Sequence, residues 1–207
     1  MRLQPTLRSG VAIIAVLLYS LPAFAAEQHF RADLDASEIT AAVAEPMGSI
    51  RGDAIGTLHF LSCDIYQDPK RRADDGANIW VEVVIDAASY HSSSSTRDSA
   101  VKESILDVKD FPTISFKGGS AWTEVKQSSD TSGSATLKGE LTLHGAVRPF
   151  EVPVKVSLAA DRLTGDGEVS FNYTDFGIVQ PSLLGLKAGN MVKVVFHVVA
   201  IRAPQGL

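Results

Sequence analysis

The sequence predicts an all-β fold of about eight or nine antiparallel strands, closed into a barrel or stacked as a sandwich, with a single helix. Three observations carry this. Apolar and polar residues alternate with period two in many short segments spread along residues 29–200. Only one segment has helical spacing. Finally, the stretch Leu137–Leu158 contains two alternating runs joined by a short Gly- and Pro-containing connection. Period two marks a strand with one wet and one apolar face, and two such runs around a turn mark an antiparallel pair.

The elements follow in order. His29–Ser37 alternates, with Phe30, Ala32, Leu34 and Ala36 on one side, and reads as a first strand continuing into Ile39–Val43. Gly48–Gly56 is Gly-punctuated and predicts a bend. Thr57–Ser62 is a short strand, and Gln67–Asn78 an exposed polar loop. Ile79–Asp86 places Val81, Val83 and Ile85 on one strand face. Arg97–Val108 then carries Val101, Ile105 and Val108 at helical spacing, with Ser95 and Asp98 as a capping box and Pro112 beyond the end. Strands resume at Thr113–Phe116 and Ala121–Lys126, with Gln127–Gly133 as a polar turn.

In the long pair, Leu137, Leu141 and Leu143 share a face, and Phe150, Val152, Val154, Val156 and Leu158 share the facing one. Gly167–Tyr173 is a further strand. Met191–Ala200 is the last, with Val192, Val194, Phe196 and Val198 aligned. Between them Gly177–Asn190 reads as a loop, yet carries Ile178, Val179, Leu183, Leu184 and Leu186, which predicts that it packs over an opening.

Residues 1–25 read as a secretory signal peptide. Arg2 and Arg8 precede the short apolar run Val11–Leu21, and Ala23-Phe24-Ala25 is a cleavage site of the A-x-A kind. No later segment is apolar enough for a transmembrane helix, so no stable membrane insertion is expected after cleavage. Removing 25 of 207 residues leaves 182, one domain (26–207) by length. Loss of Arg2 and Arg8 takes the net charge from −5 to −7, which argues against a nucleic-acid partner. The basic cluster Lys70, Arg71 and Arg72 is followed at once by Asp74 and Asp75 and reads as a solvated loop.

Cys63 is the single cysteine, so the core is held without an internal disulfide. It reads as a small buried residue at a strand end. Export, one thiol and no lipid-anchor cysteine point to the periplasm.

No motif supports catalysis. Asp175-Phe176-Gly177 spells a kinase metal motif but lacks the Gly-rich phosphate loop and lysine strand that give it meaning. No nucleophile elbow or triad pattern is present around Ser92–Ser95. The five histidines, His29, His59, His91, His144 and His197, show no metalloprotease spacing. His59 and Cys63, four apart, allow a shared strand face, and so a metal site as an alternative reading. Trp80 and Trp122 lie on predicted strands, where packing roles are expected.

The segment LTLHGAVRPF, residues 141–150, resembles the motif LTLHGVTRPV of the YceI-like family of exported, lipocalin-like proteins. Three further pieces agree in order. Trp80–Ser89 is similar to a strand of that family. Arg97-Asp98 through Phe111-Pro112, Ile114 and Phe116 is similar to its helix block, and Thr174–Ile178 to its TDFGI piece. Two features depart. The usual opening Trp and His-Ser pair are replaced by Ala36-Ser37-Glu38-Ile39, and Tyr173 stands where an arginine commonly precedes TDFG.

The resemblance implies a single antiparallel lipocalin-like β-barrel with a helix near one end. It also implies binding, without catalysis and without a cofactor, of a long isoprenoid or similar amphiphilic lipid. The apolar faces nominate Val81, Val83, Ile85, Leu141, Leu143, Val152, Val154, Phe171, Val194 and Phe196 as lining residues, each of which could equally be filled core. His144, Arg148, Tyr173 and Asp175 are nominated for the mouth. The alternatives are a solid-core structural or stress-response module, and the metal-binding protein using His59 and Cys63. The oligomeric state is left open, a dimer being allowed.

Overall fold

The computed structural model describes residues 27–43, 54–68, 78–120, 125–127, 130–183 and 186–204. Twelve strands are present among them: β1 Gln28–Ala32, β2 Glu38–Val43, β3 Ala54–Gln67, β4 Ile79–Ser92, β5 Thr113–Ser120, β6 Val125–Gln127, β7 Asp130–Leu143, β8 Ala146–Ala159, β9 Arg162–Asn172, β10 Ser182–Leu183, β11 Leu186–Lys187 and β12 Met191–Arg202. Helix α1, Ser95–Ala100, runs into a wider π-turn at Val101–Ile105.

Every sheet pairing is antiparallel, and the order β12-β2-β3-β4-β5-β7-β8-β9 returns to β12. The sheet is therefore a closed barrel with eight wall positions. Closure removes the exposed edges of an open sheet, and an eight-stranded barrel is wide enough to be filled by side chains or to hold one small ligand. The barrel, rather than the sandwich, is the architecture.

The first strand is interrupted. β1 and β2 occupy one wall position between β12 and β3, with Leu34–Ala36 bent out of the ladder. The backbone groups at the break stay satisfied. Asp33 N–H donates to Val199 O at 2.8 Å, and Val199 N–H donates to Ser37 Oγ at 3.0 Å. The alternation across His29–Ser37 thus overstates the strand, and Leu34 is exposed.

Several predicted elements lengthen. β3, β4 and β9 extend beyond their predicted bounds, because pairing with two neighbours holds residues whose own pattern is weak. The helix is shorter than Arg97–Val108. Leu106 N–H reaches back five residues to Val101 O, and Asp107 takes a positive φ of 47°, which ends the helical run. The cap is Ser94, whose Oγ accepts from Arg97 N–H, in place of Ser95. Gly177–Asn190 contains the β10–β11 hairpin. The predicted Gly48–Gly56 bend and Gln67–Asn78 loop lie mostly outside the described residues, as does Trp122.

The β7–β8 connection is a two-residue turn, His144-Gly145, both with positive φ (50° and 72°). Such turns match the twist of a hairpin. In this hairpin Leu143 faces Ala146, so the even-numbered residues of β8 bond to β7 and the odd-numbered ones face β9. The β8–β9 ladder runs from Ala159–Arg162 to Val154–Gly167 and goes no further. Pro153 and Pro149 are the reason: both are odd-numbered, and neither has an N–H to give to β9.

Gly118 and Gly139 face each other across β5 and β7. A Cβ at 139 would overlap the Lys117 carbonyl and Gly118 Cα. Gly139→Val should therefore destabilise the barrel by about 1–3 kcal/mol through overpacking, read as a lower urea midpoint; an unchanged midpoint contradicts this packing.

Candidate functional site

Strand alternation places one residue in two inside the barrel, and those inward residues enclose a cavity of about 600 Å³. All eight wall positions contribute, for example Ile39 of β2, Leu58 of β3, Ile114 of β5, Leu137 of β7 and Leu163 of β9. The ten apolar residues nominated from sequence all line it. Val81, Val83 and Ile85 come from β4, Leu141 and Leu143 from β7, and Val152 and Val154 from β8. Phe171 comes from β9, and Val194 and Phe196 from β12. The volume falls within the range of pockets that take small ligands, about 300–1,000 Å³.

The ends of the cavity differ. The β4–β5 connection with α1, the β7–β8 turn and the segment between β9 and β12 all lie at one end of the barrel, as the strand directions require. Ala100, Ser104 and Pro181 are solvent-exposed and also line the cavity, which locates the mouth between the helical connection and the 178–189 segment. At the far end Phe30 is 1% exposed and does not line the cavity, and the Arg202 guanidinium sits 4.8 Å over its ring.

Of the four residues nominated for the mouth, Tyr173 alone lines the cavity. It is buried, its hydroxyl donates to Gly189 O at 2.8 Å, and burial raises its pKa. His144 sits in the turn beyond the wall, its ring 4.6 Å from that of Phe111. Arg148 Nε donates to the backbone carbonyl of Asp175 at 3.1 Å, tying β8 to the 3-10 turn Tyr173–Phe176. The arginine and Asp175 are both exposed and outside the lining. These three stand at the turn and the rim, outside the lining, so the structure does not bring them into the cavity. Of the loop between β9 and β12, Ile178, Pro181, Ala188 and Gly189 line the opening; Ile178 is 3% exposed, Val179 points outward at 82%, and the side chains of Leu183, Leu184 and Leu186 lie outside what the structure describes.

The shared strand face expected of His59 and Cys63 is not formed. A register shift between Phe60 and Ser62 turns the chain between His59 and Cys63, so His59 is exposed while Cys63 points inward and is 2% exposed. Among the described residues no group of three or more His, Cys, Asp or Glu is placed to hold a metal. Cys63 stands mid-strand rather than at a strand end. Burial, with the neighbouring Asp64 charge adding to it, pushes its thiol pKa up to about 12. Trp80 alternates outward on β4, and the cavity lacks it.

The sequence reading missed the linings from β2, β3 and β5, and three polar residues, Tyr90, Arg97 and Ser104. Tyr90 enters because β4 carries extra residues opposite Leu58, between the Thr57–His91 and His59–Asp86 pairs. Arg97 enters from α1. Its neighbour Asp98 is buried and turned away: Oδ1 accepts from Ser92 Oγ at 2.6 Å and Ser92 N–H at 2.8 Å, and Oδ2 lies 3.0 Å from His91 Nδ1. The Ser92 hydroxyl bond above all holds the Asp98 pKa below the usual carboxylate range.

A closed eight-stranded barrel with an apolar interior and a helix beside its mouth defines a lipocalin-like class of protein. The YceI-like domain model matches residues 30–200, and the chain belongs to that family. Two solved structures share the fold. The Burkholderia cenocepacia protein BcnA superposes with a TM-score of 0.62 at 21% identity, covering 81% of this chain and 98% of its own. A polyisoprenoid binding domain from Saccharophagus degradans, described as implicated in plant cell wall breakdown, superposes with a TM-score of 0.61 at 13% identity, covering 84% and 98%. No curated protein matches the sequence.

Two outcomes test this geometry. Cys63 should resist an aromatic disulfide reagent in the native protein at pH 8 and react at once in denaturant; fast native labelling contradicts its burial. Its raised pKa also contributes stability that is complete below the ordinary thiol value of 9.0 and is lost as pH rises toward about 12. For Asp98 the sign is opposite. Its lowered pKa stabilises the fold above the ordinary carboxylate range, and that stability fades as pH falls through the lowered value. Urea midpoints followed from about pH 5 down to about pH 2 should fall more steeply in wild type than in Asp98→Asn, and parallel curves would contradict the tie to Ser92.

Proposed function

We propose that this protein binds a long-chain isoprenoid or similar amphiphilic lipid inside its barrel and carries it through the periplasm, without catalysing a reaction on it. The carrying observation is the cavity of about 600 Å³ lined from every wall position by apolar side chains. A hydrocarbon chain placed there gains about 0.8 kcal/mol for each methylene removed from water, so a long chain is held without polar contacts along its length. Polar groups are needed only at the mouth, where they set orientation.

Binding of a polyisoprenoid by the similarly folded Saccharophagus degradans domain supports the same ligand class here. Binding rather than reaction is supported by the lining itself. Its only cysteine has a thiol held protonated by burial, and among the described residues it includes no carboxylate and no histidine. Periplasmic residence is supported by the signal sequence at residues 1–25, ahead of the described residues. The cavity weighs against a solid-core module, whose inward side chains would leave no such space.

Organic extraction of the exported protein followed by mass spectrometry should release a long-chain isoprenoid or related lipid. Val83→Trp, which places bulk in the cavity, should reduce uptake of an added polyprenol while leaving the circular dichroism spectrum unchanged. Protein recovered empty, with no uptake of added quinone or polyprenol, would sink the proposal.

A further inference from the structure

The interior is apolar with one conspicuous exception. Among the described lining residues Arg97 is the only one that carries a formal charge. It lies on the inward face of the helical connection, in line with Ala100, Val101, Ser104 and Ile105 at three- and four-residue spacing. Ala100 and Ser104 are the exposed members of that row, so Arg97 stands beside the mouth rather than deep in the barrel.

Arg97 is half-buried, and its guanidinium has no hydrogen bond or ion pair among the described residues. Only its backbone is engaged, the N–H by Ser94 Oγ and the carbonyl by Val101 N–H. The adjacent carboxylate does not serve it, because Asp98 is committed to Ser92 and His91. Burial raises the pKa of Tyr90, a second polar residue of the lining, while the Arg97 charge draws it down and the Asp98 charge pushes it up. A guanidinium has five donors in a planar fork. Leaving such a group partly desolvated and unpaired is costly, and a bidentate oxyanion removes that cost with two charge-assisted hydrogen bonds.

We propose that the ligand carries an oxyanion head group, a phosphate or a carboxylate, and that Arg97 binds it at the mouth with the Ser104 hydroxyl alongside. This rests on the reading of the cavity as a lipid site and adds the head-group class to it. A neutral alcohol or quinone head would leave the guanidinium without a counter-charge. Arg97 is thus a specificity-determining residue. The apolar wall takes the chain whatever its head, and the arginine selects among heads. The cation enters from the helical connection, on a different element from Tyr173.

The test uses one chain with three heads: dodecyl phosphate, dodecanoate and dodecanol, each displacing an environment-sensitive dye from the delipidated full-length exported protein. At least one anion should bind wild type about tenfold or more tightly than dodecanol, and added salt should shrink the difference. Arg97→Gln and Arg97→Met should erase the preference, each anion then binding no more tightly than dodecanol binds the same variant, whereas Arg97→Lys keeps part of it. The ranking of phosphate against carboxylate identifies the head. Equal binding of all three probes by wild type, or a preference that survives Arg97→Gln, overturns the head-group inference and leaves the lipid cavity standing. If none of the three displaces the dye while the protein is folded, the cavity reading and this inference fall together. Thermal midpoints of the variants show that each remains folded, and should either neutral variant unfold, the other and the salt dependence of wild type decide.

Discussion

The β9–β12 ladder pairs Met191–Ile201 with Arg162–Asn172 and joins the last strand back to the sheet. Without it the sheet would have two free edges, and its apolar face would need a second layer to cover it. With it, the inward face of each strand is covered by the inward faces of the others. The simple alternation of apolar and polar side chains then becomes a sorting into an interior and a wetted exterior. Exposed cross-strand pairs such as Lys193–Glu168 at 2.8 Å and Lys138–Glu151 at 3.2 Å decorate the outside and contribute little to stability.

The wall is not uniform. Between β8 and β9 the ladder stops where Pro153 and Pro149 withhold their N–H groups. Beyond that point aromatic packing takes over from hydrogen bonding. Phe150 meets Phe171 edge-on at 5.3 Å, and Phe171 meets Phe176 at 5.5 Å. The Arg148–Asp175 bond adds a polar tie across the same interval. This half of the seam is held by side chains rather than by a ladder, and it adjoins the end at which the cavity opens.

The two ends divide the electrostatics as well. At the far end Arg202 is consumed by Asp161 at 2.9 Å and Gln28 at 2.7 Å while its guanidinium covers Phe30. At the mouth the carboxylate Asp98 is satisfied by local hydrogen bonds and the guanidinium of Arg97 is not. The result is an apolar tube with a positive group at its opening, a polarity that suits an amphiphile whose head is anionic.

The class of fold, the helix and the ten apolar lining positions were legible in the sequence, because period-two alternation in β4, β7, β8, β9 and β12 is a direct record of which side chains lose water. Where alternation is broken, legibility ends. The shift at Phe60–Ser62 sends His59 outward and Cys63 inward, against their shared spacing, and the extra residues of β4 turn Tyr90 inward. Arg97 stood in a recognised motif, yet nothing in the local pattern said that its side chain faces a cavity rather than solvent. The sequence by itself determined the pleat: which residues of each regular strand share a face. Only the tertiary structure decided which face is inside at each irregularity, which end is open, and which charge stands unpaired at that opening. Those depend on closure and register, set by contacts between strands far apart in the chain, and local periodicity carries no record of them.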